Sequence, residues 1–298
     1  MTAIEALPVA PCRLGESPFW HPDEAALYWV DIPGRALHRW NGTQHRQWAL
    51  PSEPGCIAPR LQGGLLMAMR DGLWHFDVAS GERRLLAAPP YDPAVQRFND
   101  GKADPQGRFW TSTIHEPRDA PRAALYRFAD GTLDRMAGEV TVGNGLAFSP
   151  DGRTMYWADT TAHRVDAIDF EPASGALSRR RVFARFAPRA AGALPEAPEA
   201  YGGRPDGAAV DAEGAYWVAM FEGARLVRLA PDGTQLAELK LPLRCPTMPC
   251  FGGPDLKTLF VTSARDKRSE AELAALPLSG CVLALRVAVP GLPVNFAR

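Results

Sequence analysis

The sequence predicts an all-β fold, a six-bladed β-propeller, on three observations. First, a Pro-Asp-x-x-Gly type of turn followed by an aromatic strand keeps returning. It reads H-P-D-E-A-A-L-Y-W-V-D from His21, D-P-Q-G-R-F-W-T-S from Asp104 and S-P-D-G-R-T-M-Y-W-A-D from Ser149. It returns as D-A-E-G-A-Y-W-V-A from Asp211 and G-P-D-L-K-T-L-F-V-T from Gly253, with a weaker copy, L-Q-G-G-L-L-M-A-M, from Leu61. Second, the turns fall near residues 22, 62, 105, 150, 211 and 254. Most steps are about 40 to 45 residues, the period of a propeller blade. Third, few windows sustain helical periodicity for three turns.

The even spread of the repeat, without a linker or composition break, predicts one domain over residues 1–298. A hydrophobic content of 46% is ample for its core. The formal charge of -1, from 33 basic and 34 acidic side chains, argues against nucleic acid or an anionic membrane as partner. No apolar run approaches the roughly 18 residues of a transmembrane segment. The first ten residues carry an acid and no basic stretch, so no signal peptide is expected. Cys12, Cys56, Cys245, Cys250 and Cys281 form no C-x-x-C pair and are odd in number. Reduced, structural thiols in a cytoplasmic protein are the expectation, with a single Cys245–Cys250 loop closure as the alternative.

Strands are expected where β-rich runs lie between Gly, Pro and Asp turns. In order they are Leu27–Val30, Ala36–Trp40, Leu65–Met69, Gly72–Phe76, Phe109–Thr113, Ala124–Phe128 and Gly145–Phe148. Met155–Asp159, Arg164–Phe170, Gly207–Val210, Ala215–Ala219, Arg225–Leu229, Leu259–Thr262 and Cys281–Val287 follow. Asp-Gly pairs at 71, 130, 151 and 232 mark tight hairpins. Ser269–Leu276 is the best short helix, with Ser269 as its cap. Ala3–Val9 and the final strand are the natural partners for closing the ring, since an unpaired edge invites aggregation. The Ala/Pro/Gly-rich stretch Pro188–Gly203 accounts for the one long repeat step. It is expected to be an ordered loop over the mouth of the central channel. Trp29, Trp110, Trp157 and Trp217 recur in the second strand of their blades and read as core packing.

Four segments put polar residues where the blade repeat allows apolar ones: L-G-E-S-P-F-W with Glu16, R-F-N-D-G with Arg97, Asn99 and Asp100, G-N-G-L-A-F with Asn144, and R-P-D-G-A-A-V with Arg204 and Asp206. Glu16, Asn99 and Asn144 each stand six residues before the proline of their blade's turn, and Asp206 five before Asp211. Taken singly, Asn-Gly and Asp-Gly are turn formers. An equal offset in different blades instead means equal height on the propeller axis. Two carboxylates and two carboxamides converging there suit a hard or borderline divalent cation. Arg97 and Arg204 suggest substrate recognition or charge balance at the same opening. His115 and His163 are placed to reach the upper rim. No H-E-x-x-H, G-x-S-x-G or P-loop pattern is present, which weighs against zincins, serine hydrolases and nucleotidases.

The motifs L-G-E-x-P-x-W, R-x-N-D-G-K-x-D-x-x-G-R-x-W, N-G-L-x-x-S-P-D-G and P-D-G-x-x-V-D-x-x-G resemble those of the senescence marker protein 30, gluconolactonase and luciferin-regenerating enzyme family. The resemblance runs from Cys12 to Val287, and its tail segment is closer to bacterial sugar-acid lactonases. It implies a six-bladed propeller that holds one divalent metal ion (Ca, Zn, Mn, Mg or Fe(II)) and hydrolyses aldonic-acid lactones. The implied metal ligands are Glu16, Asn144 and Asp206, and the implied binders of sugar hydroxyls are Arg97 and Asn99, with Glu116 as a further candidate. Asp206 is the implied general base, acting directly or through a water on the metal. The implied partner is a small-molecule sugar lactone such as gluconolactone, xylonolactone or arabinonolactone. The competing readings are a broader lactonase or phosphotriesterase on the same site and a calcium-binding propeller without turnover.

Overall fold

The computed structural model describes residues 3–190 and 201–298. Within them the chain forms six sheets of four antiparallel strands each. It enters with β1 (Ile4–Ala6), which belongs to the last blade. Blade one is β2 (Gly15–His21), β3 (Ala26–Asp31), β4 (Ala36–Trp40) and β5 (His45–Ala49). Blade two is β6 (Pro54–Pro59), β7 (Leu65–Met69), β8 (Gly72–Phe76) and β9 (Arg83–Ala87). Blade three is β10 (Gln96–Ala103), β11 (Phe109–His115), β12 (Ala123–Ala129) and β13 (Thr132–Val140). Blade four is β14 (Gly143–Phe148), β15 (Thr154–Asp159), β16 (Arg164–Glu171) and β17 (Ala176–Arg185). Blade five is β18 (Arg204–Val210), β19 (Tyr216–Phe221), β20 (Arg225–Leu229) and β21 (Gln235–Lys240). Blade six is β22 (Pro246–Gly252), β23 (Thr258–Ser263) and β24 (Leu283–Arg286), completed by β1. This is the all-β six-bladed propeller that the repeat predicts.

The core lies between blades. Phe19, Tyr28 and Leu37 of blade one pack on Ile57, Leu65 and Met67 of blade two, and comparable clusters join the other neighbours. The repeated motif has a physical basis in its turns. Trp110 Nε1 and Trp217 Nε1 each donate to the turn aspartate six residues earlier, Asp104 and Asp211, both at 2.9 Å. The other oxygen of each aspartate accepts two backbone N–H groups of its own turn. One carboxylate thus fixes both the turn and the buried indole. Trp29, Trp110, Trp157 and Trp217 are all buried, in agreement with their reading as core.

Closure follows the expected route: Ile4, Glu5 and Ala6 pair with Leu285, Ala284 and Leu283. The short helix forms as α1 (Glu270–Ala275), capped by Ser269, whose hydroxyl accepts the N–H of Glu272 at 3.2 Å. The strand expectations need two corrections. The outermost strands of blades one to five were not anticipated, because they face water and read as charged segments such as R-R-L-L-A. The innermost strands β2, β6, β10 and β22 were missed because Gly, Pro and polar residues interrupt their apolar pattern. All five cysteines are buried free thiols, so the Cys245–Cys250 closure does not form. Of the stretch Pro188–Gly203, residues 191–200 lie outside the described residues.

The loops leading into the innermost strands lie on one face, here the upper one, and the Pro-Asp turns lie on the lower. The C-terminal segment crosses that lower face. Gly291 bridges to Asp211 and Asn295 Nδ2 donates to Ala103 O at 3.1 Å. Ala297 and Arg298 donate their N–H groups to Pro59 O and Gly107 O. A cavity of about 250 Å³ lies inside the tail, lined by Lys102, Phe148, Met248 and Leu292–Asn295 among others.

Residue 4 to residue 7 cover the edge of β24 with half-buried Ile4 and Ala6 and buried Leu7. Deleting residues 1–8 is expected to lower stability by about 2–4 kcal/mol, from lost apolar burial and an uncovered edge. Urea unfolding would show this as a lower midpoint, with aggregation at high protein concentration.

Candidate functional site

Every innermost strand slips register at the same height. The shifts fall between Glu16 and Phe19, Pro54 and Cys56, Phe98 and Gly101, Asn144 and Ala147, Pro205 and Ala208, and Pro246 and Met248. A bulge leaves residues outside the ladder and re-aims their side chains. Glu16, Asn99, Asn144 and Asp206 all stand at these bulges, so the equal sequence offsets translate into one ring around the axis. Gly145 shows what the geometry demands. Its φ is +61°, and a Cβ there would sit 2.3 Å from Tyr216 Oη. Only glycine lets β14 bend and the tyrosine approach.

Three of the four polar residues, Asn99, Asn144 and Asp206, share one hydrogen-bond chain with Arg97. Arg97 Nη1 donates to Asn99 Oδ1 at 2.8 Å and to Phe98 O at 2.9 Å. Asn99 Nδ2 donates to Asn144 Oδ1 at 2.8 Å and to Gly143 O at 3.0 Å. Asn144 Nδ2 donates in turn to Asp206 Oδ1 at 2.7 Å and to Thr160 Oγ1 at 2.8 Å. The Thr160 hydroxyl donates its hydrogen bond to Pro205 O at 2.7 Å, which leaves it an acceptor for the carboxamide and fixes the amide's orientation. Glu16 keeps part of its surface open to the channel, and its Oε2 accepts only the N–H of Ser17, at 3.1 Å. Neither Glu16 Oε1 nor Asp206 Oδ2 receives a hydrogen bond from the described residues.

These carboxylates are held at a cost. Burial, then the negative charges of Asp206 and Asp100, push the Glu16 carboxyl well above its ordinary value. Burial and the charge of Asp100 push Asp206 up to about 8, against the opposing pull of Arg204, Arg118 and Arg97. Burial raises Asp100 to about 6, offset in part by Lys102 and by backbone N–H groups. Three crowded carboxyl groups in a poorly solvated channel constitute a site short of positive charge.

Glu116 stands at the upper rim. It is gripped by Arg70 through two contacts of 2.9 Å and lies 3.7 Å from Arg97 Nε. Burial alone would raise its carboxyl, but hydrogen bonds from Arg70 and the charge of Arg97 hold it below the ordinary range. His115 is buried and bonded to Asp119 at 2.6 Å, while His163 meets the Tyr201 hydroxyl at 2.7 Å. Arg204 stacks on Phe221 and pairs with Glu222 at 3.0 Å.

Asp100 and Lys102 were given no role by sequence reasoning. Asp100 is 3% exposed, accepts the N–H of Leu146 at 2.7 Å, and has one carboxylate oxygen without a partner. Lys102 Nζ donates to Ala208 O at 3.1 Å and lowers the Asp100 carboxyl. Neighbours in a regular strand point to opposite faces, so Asp100 next to Asn99 reads as a turn residue. The bulge removes that alternation, and the N-D-G run is the signal that marks it.

For a divalent cation the donors fit. The set Glu16, Asn144 and Asp206 is all oxygen, two carboxylate oxygens lack donors, and the surroundings are short of positive charge. Among the described residues no group of three or more His, Cys, Asp or Glu side chains is arranged to hold a metal ion. This set differs from such a group in having two carboxylates and one carboxamide.

Fold and site together define a six-bladed β-propeller with a polar, carboxylate-rich cluster on its axis. The chain matches the SMP-30/Gluconolactonase/LRE-like region over residues 14–265 and belongs to that family. It is 45% identical over 286 residues to the 6-deoxy-6-sulfogluconolactonase of Pseudomonas putida, covering 94% of each chain. It is 36% identical over 289 residues to a pentonolactonase of Haloferax volcanii, covering 95% of this chain and 94% of that one. Among solved structures, a calcium-binding regucalcin from Agrobacterium tumefaciens superposes with a TM-score of 0.90 at 29% identity, covering 100% of this chain and 98% of the other.

In protein stripped of divalent cations, Asp206→Asn is expected to raise stability near pH 8 by about 1–3 kcal/mol, because it removes a buried charge and keeps the acceptor for Asn144. The sign follows from the raised folded-state value. Unfolded, the carboxyl ionises near pH 4, whereas folded it keeps its proton to about 8. Its penalty therefore accumulates as pH rises from about 4 to about 8. Calorimetric melting in chelator at pH 5 and pH 8 should show the variant's advantage growing with pH. An equal difference at both values would contradict it.

Proposed function

We propose that this chain is a divalent-cation-dependent lactonase that hydrolyses aldonic-acid lactones to the free sugar acids. The observation that carries the reading is the convergence of Glu16, Asn144 and Asp206 at equivalent bulges, with donor-free carboxylate oxygens, beside the Arg97–Asn99 pair. Family membership supports it, as do relatives named for a sulfonated gluconolactone and for pentonolactones.

In this reading Glu16, Asn144 and Asp206 hold the cation. When bound, the cation polarises the ring ester's carbonyl and stabilises the negative charge that develops on its oxygen. Asp206 Oδ2 accepts the proton of the attacking water while Oδ1 stays fixed by Asn144. Water adds its oxygen to the carbonyl carbon, the ring C–O bond breaks, and the leaving oxygen takes up a proton to give the hydroxy acid. Arg97 and Asn99 orient the ring hydroxyls, with Asn99 prepositioned by Gly143 O. Glu116, already held by Arg70, offers its remaining lone pairs to a hydroxyl above. The fixed Arg97–Asn99–Asn144–Asp206 chain keeps these groups in register before substrate arrives, which lowers the ordering cost of reaction. The substrates expected are gluconolactone and pentonolactones such as xylonolactone and arabinonolactone.

Acid release from these lactones in weak buffer tests the reading, corrected for spontaneous hydrolysis. Chelated protein should be inactive and recover with one or more of Ca, Zn, Mn, Mg or Fe(II). Asp206→Ala should lower kcat by about 10²–10⁴ in the restored protein. Arg97→Ala should act mainly on KM, by about tenfold. Turnover indifferent to chelation and to Asp206→Ala would defeat the assignment.

A further inference from the structure

The upper mouth carries a second polar arrangement that the chemistry above leaves unused. Glu222, just beyond β19, is buried and contacted by three arginines. Arg189 Nη2 and Arg204 Nη1 both reach its Oε2 at 3.0 Å, and Arg268 Nη1 reaches Oε1 at 3.0 Å. Arg268 also pairs with Glu272, at 2.6 Å, whereas Arg189 and Arg204 share one oxygen of Glu222. A single carboxylate cannot balance both.

On the same upper face stands Arg118, exposed, in the turn that follows β11. Its backbone N–H closes that turn on His115 O at 3.0 Å, with φ at +57°, a conformation that non-glycine residues seldom adopt. The turn holds the side chain where the charges of Arg204, Asp206, Glu116 and Glu222 act on it. Among the described residues its guanidinium makes neither a hydrogen bond nor an ion pair. The exposed guanidinium has no packing role, and the like charge of Arg204 acts against it unless an anion binds there. Asp206 provides part of that anion only while its charge is free. A divalent cation on Glu16 and Asp206 would cancel it, leaving Arg118 without a counter-charge and Arg204 with only its share of Glu222.

A neutral aldonolactone does not meet this demand, because its far carbon carries only a hydroxyl. A tetrahedral oxyanion does, since a guanidinium fork pairs with two of its oxygens at once. We propose that Arg118 and Arg204 form an anion subsite above the axial site, selecting sugar lactones that carry a sulfonate or phosphate on the carbon remote from the ring ester. The proposal rests on the lactonase reading for the substrate's other end. Arg97, Asn99 and Glu116 then contact the middle of the sugar, and Arg118 and Arg204 its charged end.

The test uses full-length wild type, Arg118→Met and Arg118→Lys, each shown to be folded by circular dichroism. Hydrolysis of D-glucono-1,5-lactone is compared with that of its 6-phospho and 6-deoxy-6-sulfo counterparts. Wild type should prefer an anionic lactone at least about tenfold in kcat/KM, through KM, and the preference should shrink as salt is raised. In Arg118→Met the ratio of anionic to neutral kcat/KM should fall below about twofold, with Arg118→Lys intermediate. Which anion loses more on substitution separates sulfonate from phosphate as the better fit.

Calorimetric titration with D-glucitol 6-phosphate, which has no ester to hydrolyse, reads the subsite without turnover. Wild type should bind it at least about tenfold more tightly than it binds D-glucitol, and Arg118→Met should lose that difference. If no lactone is consumed yet glucitol 6-phosphate binds through Arg118, the lactonase reading falls and the subsite stands. If the phosphate adds no affinity, or adds as much in Arg118→Met, the subsite is overturned whatever the lactones do.

Discussion

Six innermost strands converging on one axis cannot all remain regular. The bulge each makes at the same height is the constraint on which the site depends. A regular strand would direct alternate side chains into the blade interfaces on either side. The register slip frees residues from that alternation and directs them to the channel. Backbone shape comes first and chemistry second: Gly145 and the left-handed Ser17 (φ 49°) permit the bends, and Asn144 and Glu16 take the positions so created. Blades two and six bend the same way with Gly55 and Thr247 at the slip. Those side chains add no charge, so the acidic groups collect on blades one, three and five.

The electrostatics of the channel set stability against function. Burial raises the proton affinity of Glu16, Asp100 and Asp206, and the charge of Asp100 adds to it at Glu16 and Asp206, as that of Asp206 does at Glu16. In a structure selected for folding alone, such a cluster would be replaced by apolar side chains. Instead it is countered at two levels: Lys102 from below, and Arg97, Arg118 and Arg204 from above. The carboxamides of Asn99 and Asn144 bridge these levels without charge, and Thr160 fixes the inner one by accepting its N–H while donating its own O–H to Pro205 O. The network therefore fixes geometry while leaving its net charge to be completed by what binds.

The sequence displayed the fold and the ring of polar groups clearly, because both rest on recurrence. Five strong turn copies and one weak copy marked six blades, and the equal offsets of Glu16, Asn99 and Asn144 marked one height. Recurrence says nothing about singular features. The Glu222 cluster, the Thr160 clamp and the unpaired Arg118 each occur once and have no sequence periodicity. Outer strands such as β17, with S-R-R-R-V-F-A-R, pair on one edge only and show water the charges of a loop. Inner strands were obscured for the opposite reason. The irregularities that make them functional are the ones that disguise a strand.

The C-terminal segment has a kinetic meaning as well as a structural one. By running from Gly291 beside Asp211 to Arg298 on Gly107, it ties blades five, three and two together across the lower face. On the lower side of the axis, Leu292–Asn295 line the cavity under the tail. Among the described residues the tail lies across the lower face, so a bound molecule exchanges with solvent mainly by the upper one. The groups that admit a molecule there are then the ones it must leave past.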